Sequence, residues 1–317
     1  MFTIVITTYN RLPLLKRAIR TSLEQTIACE VIVVDDGSTD GTEAYCERLA
    51  QTEVRFCYLR NEQNRGHSYS VNRGVELAQG DWVKFLDDDD YLALDCVAVL
   101  EDAIALCPDA VICSCQAAQV NEQEDQLSLT VTAGPGEICR IPQADIHYGM
   151  LIEAIPFGTP VQVAVRRQAF LQTGGWDSEL DTNFDDIDSW LKVAEHGDAL
   201  LINRCLSYRT VWPGAYNYRL SLRDRLHTHI EIKHRIYERI APVHRAHCPP
   251  FRQVAAYLRL HWGLVAFRQR QWRPGLAVMG WAITSVGAWR LLWRSRYHRA
   301  HLTASTRYVT KEVLRPA

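Results

Sequence analysis

Apolar, β-rich runs at 2–7, 30–34, 54–59, 82–86 and 109–114 alternate with segments of helical period at 11–25, 40–51, 68–79 and 94–106. Strands this apolar need cover on both faces, and a helix after each strand supplies it. The alternation therefore predicts an α/β fold with a mainly parallel central sheet flanked by helices. Parallel strands end on one edge, where open α/β sheets bind their ligands. The residues that follow the strands are thus the candidate functional residues. The first run ends in Thr7-Thr8-Tyr9-Asn10, the second in Asp35-Asp36-Gly37-Ser38-Thr39-Asp40, and the fourth in Asp87-Asp88-Asp89-Asp90.

The four consecutive aspartates carry the most chemistry. Like charges crowded onto one turn repel one another unless a cation sits among them. An Asp-x-Asp pair offers oxygen ligands to Mg²⁺ or Mn²⁺ and leaves other positions to water and substrate phosphates. One or two of these residues would also serve as a helix start, because Asp caps a helix and complements its dipole. Four in a row at a strand end exceed that need. Asp35-Asp36 before Gly37 likewise exceed what a turn requires, and either carboxylate suits a ring N–H or a sugar hydroxyl. Downstream, Gly174-Gly175-Trp176-Asp177 precedes Asp185-Asp186, which fall in the first turn of a helix predicted from the spacing of Ile187, Trp190, Leu191 and Ala194. Acidic residues are stabilising there without any catalytic role.

Charge divides the chain. Residues 1–203 hold 14 basic and 33 acidic residues, a net of −19, whereas 204–317 hold 21 and 4, a net of +17. Two functional halves follow from that contrast. The ten cysteines form no Cys-x-x-Cys pair, and Cys57, Cys113 and Cys115 lie in apolar stretches. A reducing compartment and no zinc site are expected. The first strand is too short for a signal-peptide core and lacks a basic leader, which favours the cytoplasmic side.

Other classes fit poorly. A dinucleotide-dependent dehydrogenase needs Gly-x-Gly-x-x-Gly after the first strand, and residues 7–16 contain no glycine. An aspartyl phosphatase would place its Asp-x-Asp there. A sugar nucleotidylyltransferase would place a glycine-rich, basic loop there. A binding module that keeps the fold without turnover stays open as an alternative.

From Phe251 onward, arginines alternate with apolar and aromatic residues. The uncharged run from Pro274 to Trp289 is shorter than the ~20 residues needed to span a bilayer. Trp281, Ser285, Trp289 and Trp293 recur every fourth residue and are expected on one helix face, beside Arg290 and Arg294. Such a face suits an in-plane helix at an anionic membrane surface; the alternative is that its tryptophans pack on the catalytic domain. Nucleic-acid binding has no support in the motif-bearing half.

Taken in order, Ile6-Thr7-Thr8-Tyr9-Asn10-Arg11, Val33-Val34-Asp35-Asp36-Gly37-Ser38-Thr39-Asp40, Asn64-Arg65-Gly66, Asn72-Arg73-Gly74, Phe85-Leu86-Asp87-Asp88-Asp89-Asp90, Gly174-Gly175-Trp176-Asp177 and Asp185-Asp186 resemble the family 2 inverting glycosyltransferases of GT-A fold. The resemblance covers about residues 1–212. It implies a catalytic domain there, with a nucleotide-sugar half at about 1–115 and an acceptor half at about 116–212, followed by a basic, mostly helical region at 213–317. It further implies that Thr7, Tyr9 and Asp36 hold the nucleobase and ribose, that Asp87 and Asp88 lie against ribose and diphosphate, and that Asp89 is the protein ligand to Mn²⁺ or Mg²⁺. Asp186 would be the catalytic base. The implied reaction moves a sugar from a nucleotide-diphosphate donor to a glycan or lipid-linked acceptor, in cell-surface polysaccharide or lipopolysaccharide synthesis on the inner face of the membrane. Three departures stand out. The acidic pair reads Asp-Asp where Glu-Asp is commoner. Ser70-Val71-Asn72 replaces Ala-Arg-Asn, leaving Arg65, His67 or Arg73 to take the arginine's place. Thr210-Val211-Trp212 stands where many relatives have a metal-proximal histidine.

Overall fold

The structure, a computed structural model, describes residues 1–180, 184–211, 221–300 and 309–316. Its first half follows the alternation in the sequence. Strands β1 (Phe2–Thr8), β2 (Glu30–Asp35), β3 (Phe56–Arg60) and β4 (Trp82–Asp87) are joined by helices α1 (Leu12–Leu23), α2 (Thr42–Ala50) and α3 (His67–Leu77). They lie in the order β3-β2-β1-β4, all parallel. Register sets the edge. Thr8 pairs with Asp35 and Thr7 with Asp87, so the polar ends of three strands meet side by side.

Alternate residues of β1 feed two cores, Val5 on one face and Ile4 and Ile6 on the other. Helix α1 starts with Pro13 in its first turn and buries Leu15, Ala18, Ile19 and Ser22, the i, i+3, i+4, i+7 stripe of a core-facing helix. Helix α3 approaches β1 closely because Gly74 leaves room; a Cβ there would stand 2.4 Å from Val5 Cγ1.

Beyond β4 come β5 (Tyr91–Leu92), α4 (Cys96–Leu106), β6 (Ala110–Val120), β7 (Gln126–Leu129), β8 (Ile138–Ile141), α5 (Gln143–Leu151), β9 (Val163–Arg166), α6 (Arg167–Gln172), α7 (Asp185–Val193) and β10 (Asp198–Thr210). The sheet continues from β4 through β9, β6, β10 and β8. Strand β9 is antiparallel to both neighbours, so the parallel nucleotide-side sheet grows into a mixed one. Residues 116–148, poorly patterned as sequence, hold the end of β6 and the strands β7 and β8. Strand β7 is exposed throughout and β8 is four residues long, too little for a period to register.

The C-terminal region is built from α8 (Leu222–Glu238), α9 (Pro242–Arg245), α10 (Phe251–Arg268), α11 (Trp272–Met279) and α12 (Val286–Ala300), and β11 (Glu312–Arg315) returns to the sheet edge beside β8. The single tryptophan face expected from the four-residue spacing does not form. Trp281 lies in a 3₁₀ turn over Gly280–Thr284, and the chain bends by 110° before α12. Gly280, at φ +46°, ends α11, and an extended Ser285 between the 3₁₀ turn and α12 breaks the register between Trp281 and Trp289. Among the described residues no single helix is long and apolar enough to cross a membrane.

Candidate active site

The strand-end edge is organised by hydrogen bonds between loops. Asp35, fully buried, accepts from the Ser38 N–H at 2.8 Å and from the Tyr58 hydroxyl at 2.7 Å. Asp36 accepts from Asn61 Nδ2 at 2.6 Å and from the Arg65 and Gly66 N–H groups at 2.8 and 2.9 Å. Its carboxylate thereby shapes the loop leading to α3. Gly37 turns at φ +84°, its α-carbon against the Gln63–Asn64 backbone, where a side chain would be strained. Thr7 is buried, whereas Tyr9 is 47% exposed at the rim. Asn10, at φ +54°, ties the β1 loop to the β2 loop by donating its N–H to Ser38 Oγ at 2.9 Å and accepting from the Thr39 N–H at 2.7 Å.

The four aspartates point in different directions. Asp88 turns inward: its Oδ2 accepts from the Thr8 hydroxyl at 2.8 Å, and its Oδ1 lies 3.1 Å from Arg11 Nη1. Burial pushes its carboxyl up to about 7, against the pull of Arg11. Asp87, Asp89 and Asp90 form the cation-shaped cluster, each with one carboxylate oxygen within 4.8 Å of the others. Arg11 also reaches Asp89 Oδ2 at 3.1 Å. Asp90 is buried and accepts the Thr210 N–H at 2.8 Å; burial and the charges of Asp89 and Asp87 hold its carboxyl well above the usual range. Three acidic oxygens so close, one of them driven toward the neutral form, could hold a hard divalent cation.

Across from this cluster, Asp185 and Asp186 open α7. The Ile187 N–H donates to Asp186 Oδ1 at 2.7 Å. Burial first, then the neighbouring charge of Asp185, raises the Asp186 carboxyl to about 7. His67 stands between the two acidic sites, with Nε2 3.1 Å from Asp87 Oδ1 and Nδ1 3.6 Å from Asp185 Oδ2. Burial works to lower the imidazole pKa, but the hydrogen bonds and charges of Asp185 and Asp87 outweigh it and hold it well above the ordinary histidine value. The bend at Gly174-Gly175-Trp176 is clamped by Asn72, which accepts the Trp176 N–H at 2.8 Å and donates to the Trp176 carbonyl at 2.9 Å.

Of the three residues weighed as substitutes for the missing arginine, only His67 touches the acidic run; Arg73 bonds Asn61 at 2.6 Å, and the Arg65 guanidinium lies over the Tyr69 ring. Two participants escaped sequence reasoning. Arg17 bonds the Asp89 carbonyl at 2.6 Å and Thr210 Oγ1 at 2.7 Å, and lies over the Tyr91 ring. Thr210 closes the acidic run from β10 where a histidine was sought. Nothing in the sequence separates Arg17 from the solvent-facing Arg20 one turn on. Trp212 lies outside the described residues.

The sequence model of Glycosyl transferase family 2 matches residues 3–173, more than half the chain. This chain belongs to glycosyl transferase family 2. An uncharacterized glycosyltransferase of Haemophilus influenzae is 30% identical over 216 residues, covering 66% of this chain and 68% of that protein. The GalNAc(5)-diNAcBac-PP-undecaprenol beta-1,3-glucosyltransferase of Campylobacter jejuni is 34% identical over 99 residues, 31% of this chain and 32% of that protein. The family 2 chain thus spans about a third of this relative's length. In fold, it is similar to S. aureus TarS in complex with UDP-GlcNAc, with a TM-score of 0.65 at 19% identity, covering 94% of this chain and 87% of that one. It is also similar to the Pyrobaculum calidifontis mannosyltransferase PcManGT in complex with GDP-Man and Mn²⁺, with a TM-score of 0.58 at 23% identity, covering 96% and 81%. These likenesses establish the GT-A fold.

Proposed function

We propose that the protein is a metal-dependent inverting glycosyltransferase that moves one sugar from a nucleotide-diphosphate donor to a glycan or lipid-linked acceptor in cell-surface polysaccharide synthesis. The observation that carries this reading is the pairing of two acidic sites on one sheet edge: a three-carboxylate cluster at Asp87, Asp89 and Asp90, and across His67 a carboxyl at Asp186 raised to about 7. A base that is ionised near neutral pH yet holds a proton readily suits hydroxyl activation.

Thr7, Tyr9 and Asp36 border the base and ribose, and Asp87 and Asp88 border ribose and diphosphate. Asp89 would be the main anchor for Mn²⁺ or Mg²⁺, with Asp87 and Asp90 in reach. When bound, the cation offsets the negative charge that gathers on the leaving nucleoside diphosphate. Asp186 takes the proton of the acceptor hydroxyl as its oxygen attacks the anomeric carbon. The bond from that carbon to the diphosphate oxygen breaks with its electron pair staying on the diphosphate, and attack from the opposite face inverts the centre. His67, its imidazole pKa held well above the ordinary value, stands beside both reacting regions, between Asp87 and Asp185.

The C-terminal helices suit an anionic membrane surface, where a lipid-linked acceptor would lie. No Asp or Glu occurs between Glu238 and Glu312. Trp272, Leu276, Trp281, Val286, Trp289 and Trp293 are exposed over the bend of α11 and α12, with Trp272 61% and Trp293 68% accessible. Tryptophans at headgroup depth and arginines against anionic lipid are the physical match.

Incubating the protein with UDP- and GDP-sugars, with Mn²⁺ or with EDTA, tests the reading. Metal-dependent release of UDP or GDP from one donor is expected. Binding of a nucleotide sugar with no turnover for any donor and acceptor extract tried would favour the non-catalytic module.

A further inference from the structure

The acidic pair is gripped from both sides by the C-terminal region. Phe184, immediately before Asp185, sits at φ +70°, a left-handed conformation costly for a bulky residue and kept only where its surroundings enforce it. Its ring stacks on His229 of α8, with centroids 5.4 Å apart and planes 25° apart. His229 is fixed in turn, because its Nδ1 accepts the indole N–H of Trp262, from α10, at 3.0 Å. That bond places the remaining ring proton on Nε2. Burial, then the charge of Lys233, push His229 down to about 4, so the ring stays neutral and its acceptor intact.

On the other side of the pair, Arg235 of α8 donates to Asp188 Oδ1 at 2.7 Å and stands 3.5 Å from Asp177. Asp188 is buried, and its second oxygen lies 2.9 Å from Lys192 Nζ. Helix α8 is itself anchored: Ile232 and Ile236 are buried in the main core, and Lys233 Nζ donates to the Met150 and Leu151 carbonyls at 2.9 and 3.1 Å.

The geometry points to His229 as a positioning residue for the transfer reaction, with Trp262 behind it and Arg235 as the second hold, so that α8 and α10 set the placement of Asp186. This rests on the reading of Asp186 as the base. The basic region is then part of the catalytic apparatus as well as a surface: the residues that aim the base come from beyond the segment that carries the family motifs. The stack on His229 holds Phe184 in its left-handed conformation at the start of α7.

The test uses the intact chain, with UDP-glucose, UDP-N-acetylglucosamine and GDP-mannose as donor probes in Mn²⁺, and UDP and GDP as binding probes. His229→Ala is expected to lower donor turnover about 10–100-fold, since small misplacements of a reacting group carry penalties of that order. Affinity for UDP or GDP should stay within about twofold, giving a loss in kcat without a loss in KM. His229→Asn, which keeps an acceptor near the Nδ1 position, should restore part of the rate. Trp262→Phe, which keeps the ring and removes only the N–H, should give a smaller loss in the same direction and serves if His229→Ala does not fold. Crystal structures of the two variants give a readout independent of turnover, in which Phe184 leaves the left-handed region and Asp186 shifts. An unmoved Asp186 in both variants would overturn the proposal, as would equal losses of turnover and nucleotide affinity. Absence of turnover by the unmutated protein with all three donors would instead count against Asp186 as the base, and the crystal comparison would still decide the positioning role.

Discussion

His67 Nε2 lies 3.1 Å from Asp87 Oδ1, at the end of β4, while the other nitrogen of the same ring faces Asp185 at the start of α7. One side chain thus joins the acidic run to the acidic pair. Ser68, next along α3, reaches Asp185 Oδ2 at 3.4 Å. The opening residues of α3 therefore contact both acidic sites, and Asp36 fixes the Arg65-Gly66 turn from which α3 starts.

Asp89→Ala should abolish Mn²⁺-dependent binding of UDP or GDP. Asp88 is committed to Thr8 and Arg11 outside the cluster, and Asp87 and Asp90, though in reach of the cation, are already held by His67 and the Thr210 N–H, so the cluster loses the ligand between them. Titration calorimetry with and without Mn²⁺ checks this; undiminished metal-dependent binding would remove Asp89 as the anchor.

Asp186→Asn should leave nucleotide affinity near normal and lower transfer by about 10²–10⁴-fold, because the amide fills the same space and cannot accept the proton. Steady-state rates beside direct binding separate the two effects. Near-normal turnover would pass the role to Asp185 or Asp188.

The rate should depend on pH through the same residue. Burial and then Asp185 raise the Asp186 carboxyl to about 7, and the base must be ionised to act. Below that value the ionised fraction falls about tenfold per pH unit, so kcat/KM should fall as pH drops through 7 and level off above it. A pH–rate profile on one donor measures this, and a profile flat from pH 5 to 8 would contradict it.

Arg273→Gln together with Arg290→Gln should weaken sedimentation with acidic liposomes, by roughly 1 kcal/mol per arginine near the surface, and raised salt should weaken it further. Trp272→Ala with Trp293→Ala should reduce what salt leaves. Failure of the intact protein to sediment with acidic vesicles would return the exposed tryptophans to another role.

Gly175→Ala should destabilise the fold by about 1–3 kcal/mol, the usual cost of forcing a side chain into such a conformation. Gly175 sits at φ +77°, and a Cβ would stand 2.3 Å from Asn72 Oδ1, the atom that accepts the Trp176 N–H. Urea unfolding of the variant reads the difference.

The sequence by itself determined the parallel half of the sheet and the edge on which the site lies. Strand and helix periods are local, and residues that follow strands in a parallel sheet share one edge whatever the rest of the chain does. Thr7, Asp36 and Asp87 to Asp90 were legible for that reason, as was the basic character of the C-terminal part. Tertiary structure decided how those groups divide their work. Asp88 turns to Arg11, Asp36 to the α3 loop, and His67 to Asp87 and Asp185, through contacts between residues 20 to 118 positions apart that no local period encodes. It also decided the bend that splits Trp281 from Trp289 and Trp293, since the 3₁₀ turn that holds Trp281 ends at an extended Ser285 and α12 starts afresh beyond it, so a four-residue spacing no longer aligns them. Arg17, Thr210, His229 and Arg235 acquire their roles only from what the fold carries to them, because a charged or aromatic side chain on a helix reads the same in sequence whether it meets water or a carboxylate across the core.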